Sequence, residues 1–112
     1  MLLFKPEHVE PILCGEKTQT RRLWRRRRCK PGTIHQAKTR LFGGEPFAKL
    51  LIRRVHQELL EDITPEDAHR EGYENRLAYL GAFIRINKLA DRPIREILAL
   101  PVWVVEFQVV GA

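Results

Sequence analysis

Between positions 15 and 22 the chain reads Gly15-Glu16-Lys17-Thr18-Gln19-Thr20-Arg21-Arg22 and gathers an amine, two hydroxyls and two guanidinium groups beside a glycine. Nowhere else are nucleophilic and ionisable groups so dense next to a glycine. A threonine hydroxyl attacks a carbonyl only once a neighbouring base removes its proton. A lysine serves as that base only when neutral, its pKa brought down toward about 7 or 8 by burial or nearby cations. Arg21 and Arg22 are suitable cations. On a regular strand Thr18, Thr20 and Arg22 share one face while Lys17 points the other way. Lys17 can therefore meet Thr20 only if the chain turns or bulges just after Gly15. The same residues also suit a plainer part, a positively charged strand start whose threonines fit a pleated surface.

Arg25-Arg26-Arg27-Arg28, with Arg21, Arg22 and Lys30, place seven basic residues within ten positions and no acid. The arginine fork matches phosphate oxygens, so this run reads as a phosphate contact. Trp24 on the same segment can stack on a base. The alternative is a solvated charge run with Trp24 buried beneath it. Arginines beside Cys29 favour its thiolate. His8, His35, His56 and His69 show no ligand spacing, so no metal is expected. No phosphate-cradling glycine loop or cofactor fingerprint occurs, and no cofactor is expected.

At 112 residues the chain has room for a single domain, 1–112, with a core of its own. An apolar fraction of 44% argues against disorder. The net charge of +6 is uneven: residues 1–60 carry 14 basic and 5 acidic side chains, residues 61–112 carry 6 and 9. A basic half favours a polyanionic partner at one face. Cys14 and Cys29 make neither a disulfide framework nor a metal knuckle, which suits a reducing compartment. Met1-Leu2-Leu3-Phe4 is too short for a signal segment, and no stretch reaches the roughly 20 apolar residues of a membrane span. These features predict a soluble cytoplasmic protein without membrane association.

Several elements must position these residues. Pro6 opens a short helix with Val9, Ile12 and Leu13 on its stripe, and Gly15 caps it. Lys17–Trp24 reads as a strand, Arg25–Lys30 as an exposed loop closed by Pro31-Gly32, and Thr33–Leu41 as a second strand. Gly43-Gly44 turns the chain into a third strand from Phe47 to about His56. Thr64-Pro65-Glu66-Asp67 is a helix start, and Gly72 a stop. Leu77, Leu80 and Ile84 predict the stripe of a second helix, and a helical turn is possible from Ile94 to Leu98. The final strand puts Trp103, Val105, Phe107 and Val109 on one face and Val102, Val104 and Val110 on the other, so it belongs at the centre of a sheet. The order is α+β, with a small mixed β-barrel as the leading architecture.

Gly15, Lys17, Thr18 and Arg22 fill a Gly-x-Lys-Thr-x-x-x-Arg pattern that resembles the signature of the ASCH family. The resemblance continues through Thr64-Pro65-Glu66-Asp67-Ala68-His69-Arg70-Glu71-Gly72-Tyr73 to the closing Trp103-Val104-Val105-Glu106-Phe107, nearly the whole chain. It implies a PUA-like mixed β-barrel flanked by short helices. It also implies an RNA-interacting module, holding RNA or a modified nucleoside with Thr18, Arg21, Arg22, Trp24, Arg25–Arg28 and Lys30. Some small members resemble amidohydrolases that deacetylate N(4)-acetylcytidine with a Thr, a Lys and a Glu. By motif position Thr20 is then the nucleophile, Lys17 its base and Glu71 the third member. Here Leu23 follows Arg22 where those enzymes look acidic. Glu71 beside Lys17 favours the ammonium form, a conflict that eases if the two share a proton or Glu71 orients the substrate. Ribonuclease activity with Lys17 as base is a third reading, unsupported by any histidine pair.

Overall fold

Caps and glycines set the element boundaries. The computed structural model describes residues 1–111. Strand β1 covers Leu2–Leu3; a 3-10 turn at Pro6–His8 leads into helix α1, Val9–Leu13. Then come β2 (Gln19–Arg22), β3 (Ile34–Lys38), β4 (Ala48–Leu59), α2 (Pro65–Arg70), α3 (Arg76–Ile86), α4 (Ile94–Leu98) and β5 (Pro101–Gly111). The Thr64 hydroxyl accepts from the Asp67 N–H at 3.0 Å and starts α2 as its sequence predicts. At the other end the Gly72 and Tyr73 N–H groups donate to the His69 and Ala68 carbonyls, with Gly72 at φ +92°. Only glycine takes that left-handed turn without strain.

The five strands form one curled sheet, a half-barrel, in the order β1-β3-β4-β5-β2. β1 pairs parallel with β3, and the other pairings are antiparallel. The long β4–β5 ribbon is its spine, and β5 is an interior strand between β4 and β2, as its two apolar faces require. Val105 and Phe107 pack with Leu50, Ile52, Phe4 and Ile12 on one side. Val102 and Val104 pack with Leu60, Ile97, Tyr79 and Phe83 on the other. A bulge at Arg53, between the pairs Ile52–Phe107 and Arg54–Glu106, shifts the alternation by one residue. Ile52 and Val55, three apart, thus reach the same core.

Several boundaries differ from the sequence reading. β2 begins at Gln19 because Lys17 and Thr18 give their N–H groups to the Pro11 and Arg70 carbonyls instead of a ladder. β3 stops at Lys38, while β4 runs on to Leu59, where it still pairs with Pro101. On α3 the expected stripe is rotated: Leu77 is 80% exposed, and Tyr79, Ala82 and Phe83 are the buried residues, with Leu80 and Ile84 only partly covered. Two aromatic rings bury more area than the leucine at the helix start and set its rotation. No described helix is long and apolar enough to cross a membrane.

Leu77→Ala should leave stability within about 0.5 kcal/mol, whereas Ile52→Ala should cost about 3 kcal/mol. Urea unfolding of the two variants checks the contrast.

Candidate functional site

The Gly72 turn delivers Glu71 and Tyr73 to a cleft beside β2, and Lys17 arrives from the opposite element. Gly15, at φ +85°, ends α1 with a left-handed turn. The bend that the sequence required after Gly15 is present, and Lys17 and Thr20 line the same cleft. A Cβ on Gly72 would stand 3.4 Å from the Lys17 Cβ, so the turn lies directly against Lys17.

Lys17 and Glu71 are each 2% exposed. Lys17 Nζ donates to Glu71 Oε1 at 2.8 Å and to the Glu71 carbonyl at 2.9 Å. The other carboxylate oxygen, Oε2, accepts from Arg21 Nη1 at 3.0 Å. Arg21 also donates to Gln19 Oε1 at 2.9 Å, Glu58 at 2.8 Å and Asp67 at 3.3 Å. Its Nε is buried without a partner among the described residues. Burial pulls the Lys17 pKa down; Glu71 pulls it up by charge and hydrogen bond, Arg22 and Arg21 add to the lowering, and the net direction is down. The requirement for a reactive amine is thus met in direction. Burial opposes the charge on Arg21, but Glu71 and Glu58 outweigh it and its pKa is raised.

Thr20 is buried, and its Oγ1 accepts from Arg22 Nε at 2.8 Å. In this state the Lys17 amine is committed to Glu71 and the Thr20 hydroxyl to Arg22. The three proposed groups share one cleft, but the amine and the hydroxyl are bonded to other partners. Arg22 Nη2 also donates to the Leu3 carbonyl at 2.7 Å, and its guanidinium lies 4.8 Å from the Phe4 ring centre.

The cleft holds about 250 Å³. Aromatic walls come from Phe4, Tyr73, Tyr79 and Phe83, the last three in successive edge or tilted contacts. His8 faces Tyr73, with Nε2 2.8 Å from the hydroxyl. Burial, then the charge of Lys17, lower the His8 pKa to about 4. Burial raises Tyr73 to about 12 and Tyr79 well above its usual value, so both phenols stay protonated.

The remaining expected residues lie elsewhere. Thr18 lines a separate groove with Arg53 and Phe107. Arg25–Arg28 and Lys30 are exposed, and none of them lines the aromatic cleft. Trp24 packs partly on the core, with the Arg28 guanidinium 5.9 Å from its ring. Cys29 corrects the sequence reading: it is buried, and desolvation outweighs Arg22 and Arg27, raising its pKa. Among the described residues no group of three His, Cys, Asp or Glu is placed to hold a metal ion.

Sequence reasoning missed His8, Tyr73, Tyr79 and Phe83 in the lining and Glu58 and Asp67 around Arg21. The four-residue spacing of Tyr79 and Phe83 was a usable signal, since it puts two rings on one helix face. Nothing local pairs Glu58 with Arg21, 37 residues away.

No family model and no curated protein matches the chain. Solved structures do share its fold. An ASCH domain from Lactobacillus crispatus superposes with a TM-score of 0.68 at 18% identity, over 93% of this chain and 70% of that one. A protein from Enterococcus faecalis, assigned to the DUF984 family, gives 0.67 at 17% over 94% and 71%. A hypothetical protein, PH0355, gives 0.63 at 20% over 97% and 96%. These likenesses establish an ASCH-type, PUA-like fold.

Glu71→Ala leaves two buried cations without their shared anion and should cost about 3–5 kcal/mol in urea unfolding. Acid sensitivity follows from His8, whose pKa falls from 6.5 to about 4 on folding. The unfolded chain takes up a proton as pH drops below 6.5 that the folded chain refuses until about 4, so stability declines across that window. The urea midpoint should fall from pH 7 to 5, and His8→Asn should flatten the slope.

Proposed function

Proceeding from the ASCH fold, we propose that the protein binds RNA or a modified nucleoside and holds the base in the aromatic cleft. One observation carries this reading: a cleft of about 250 Å³ whose aromatic walls enclose the polar groups of Lys17, Thr20, Arg22 and Glu71. Aromatic walls gain from the flat faces of a base, by about 1–3 kcal/mol for each stacked base. A base edge presents donors and acceptors side by side, and so does this lining: ammonium and guanidinium donate, carboxylate accepts, and a hydroxyl does both. Each Glu71 oxygen retains a free lone pair beyond its one charged partner. Lys17 and Arg22 outweigh Glu71 within the cleft, since Arg21 is also balanced by Glu58 and Asp67. The excess positive charge suits a ligand that carries an anion.

A second reading, hydrolysis of N(4)-acetylcytidine, draws support from the lowered pKa of Lys17 and the bond from Arg22 to Thr20. A guanidinium donating to Oγ1 stabilises the alkoxide that forms as the hydroxyl loses its proton. Neutral Lys17 takes that proton, Oγ attacks the acetyl carbonyl, and the ammonium returns the proton to the departing N4, releasing cytidine. Water then cleaves the acetyl ester and releases acetate. For Lys17 to do this, its amine must turn from Glu71 toward Thr20.

Calorimetric titration with cytidine, paired with NMR shifts of the cleft residues, tests the binding reading. Tyr73→Ala should weaken binding about tenfold, the loss of one stacking wall. No heat and no shifts with either millimolar cytidine or a cytidine-containing RNA would remove the reading. The hydrolytic reading predicts acetate release from N(4)-acetylcytidine that falls about a thousandfold or more in Thr20→Ala. It is lost if the unaltered protein releases none.

A further inference from the structure

Arg22 is a cation without a carboxylate partner among the described residues; its recorded bonds go to Thr20 Oγ1 and the Leu3 carbonyl. It stands, with Leu3, between two clefts, for both residues line the aromatic cleft and also a second one. The second cleft is floored by Trp24, with Arg28 stacked near its ring, and walled by Leu41. Next to Leu41, Phe42 is 84% exposed. Between Glu16 and Glu45 the chain carries ten Lys and Arg and not one acid. An unneutralised guanidinium, an aromatic ring and a second arginine thus line the second cleft, and the exposed Arg25–Arg27 and Phe42 adjoin its lining residues along the chain.

We propose that this surface is a track for single-stranded RNA, so that the ligand is a base within a strand and not a free nucleoside. The proposal rests on the nucleoside reading of the aromatic cleft and extends it. The target base enters that cleft, its phosphate meets Arg22, and the neighbouring base lies on Trp24 in the second cleft. Arg26, Arg27 and Arg28 then follow the backbone beyond it. Guanidinium groups interleaved with rings are the combination that single strands require, charge for the phosphates and flat surfaces for the unstacked bases. A duplex offers no splayed base for either cleft.

The test compares cytidine with an eight-nucleotide RNA holding one cytidine among uridines, by fluorescence anisotropy and calorimetry at 50 and 200 mM salt. The variant is Arg26→Ser/Arg27→Ser, at two exposed positions whose loss leaves the core intact. The oligonucleotide should bind at least tenfold tighter than cytidine. The double variant should lose about tenfold of that and reduce the salt slope by about 1.4, two phosphate contacts on a single strand. Its cytidine affinity should not change. Equal affinity for nucleoside and oligonucleotide, or a variant that binds RNA as well as the original, overturns the track while the nucleoside reading stands. Binding of neither ligand overturns both. Anionic vesicles form the last arm: vesicle binding without RNA binding, lost in Phe42→Ser, would assign the face to a membrane and overturn the proposal.

Discussion

The carboxylate of Glu71 lies between two buried cations, Lys17 at 2.8 Å and Arg21 at 3.0 Å, and the surroundings of the cleft follow from keeping that arrangement intact. Burial disfavours the charge on both, and the carboxylate offsets that cost by charge and hydrogen bond. A buried ion pair is a poor source of net stability, because desolvation consumes most of its attraction. Its effect here is one of position. Glu71 closes α2, Lys17 precedes β2 and Arg21 lies within it, so one acid fixes a helix end against a strand. Gly72 completes the junction, since the left-handed turn that follows Glu71 strains any residue with a side chain.

Electrostatics divide the basic residues into two populations. Both terminal nitrogens of Arg21 donate to acceptors from Glu58, Asp67, Glu71 and Gln19, and its charge is spent inside the molecule. Arg22, its neighbour in sequence, points to the other side of the strand and meets a hydroxyl, a carbonyl and an aromatic face. Strand alternation alone separates them. Adjacent arginines of identical chemistry thus become a structural tie and a guanidinium with no carboxylate partner among the described residues.

Much of this was legible in the sequence. Thr64-Pro65 at a helix start, the glycine stops at Gly15 and Gly72, and a last strand apolar on both faces all gave elements at the expected places. Lys17, Thr20 and Glu71 could be brought to one cleft because motif order, not spacing, relates residues that lie 54 positions apart. Rotation of α3 was not legible, since Leu77-Leu80-Ile84 and Tyr79-Phe83 are both apolar sets at helical spacing and only packing decides between them. Partner choice was equally hidden. Glu58 looked like one more polar position on a long strand, and it carries weight only because β4 runs far enough to face Arg21. Cys29 misled for a related reason: a string of charges in sequence says nothing about which way one thiol points.

The half-barrel has a seam. β1 and β2 are its two free edges, and the recorded link across them is the Arg22 side chain on the Leu3 carbonyl rather than a ladder of backbone bonds. Across that seam run the Arg22–Leu3 hydrogen bond and the contact of the Arg22 guanidinium with the Phe4 ring, while Phe4 itself is anchored on Phe107 in the core. The aromatic cleft opens along this line, with Leu3 and Phe4 on one lip and Thr20 and Arg22 on the other. A guest that touches both lips would therefore bridge two strands that the backbone leaves unjoined.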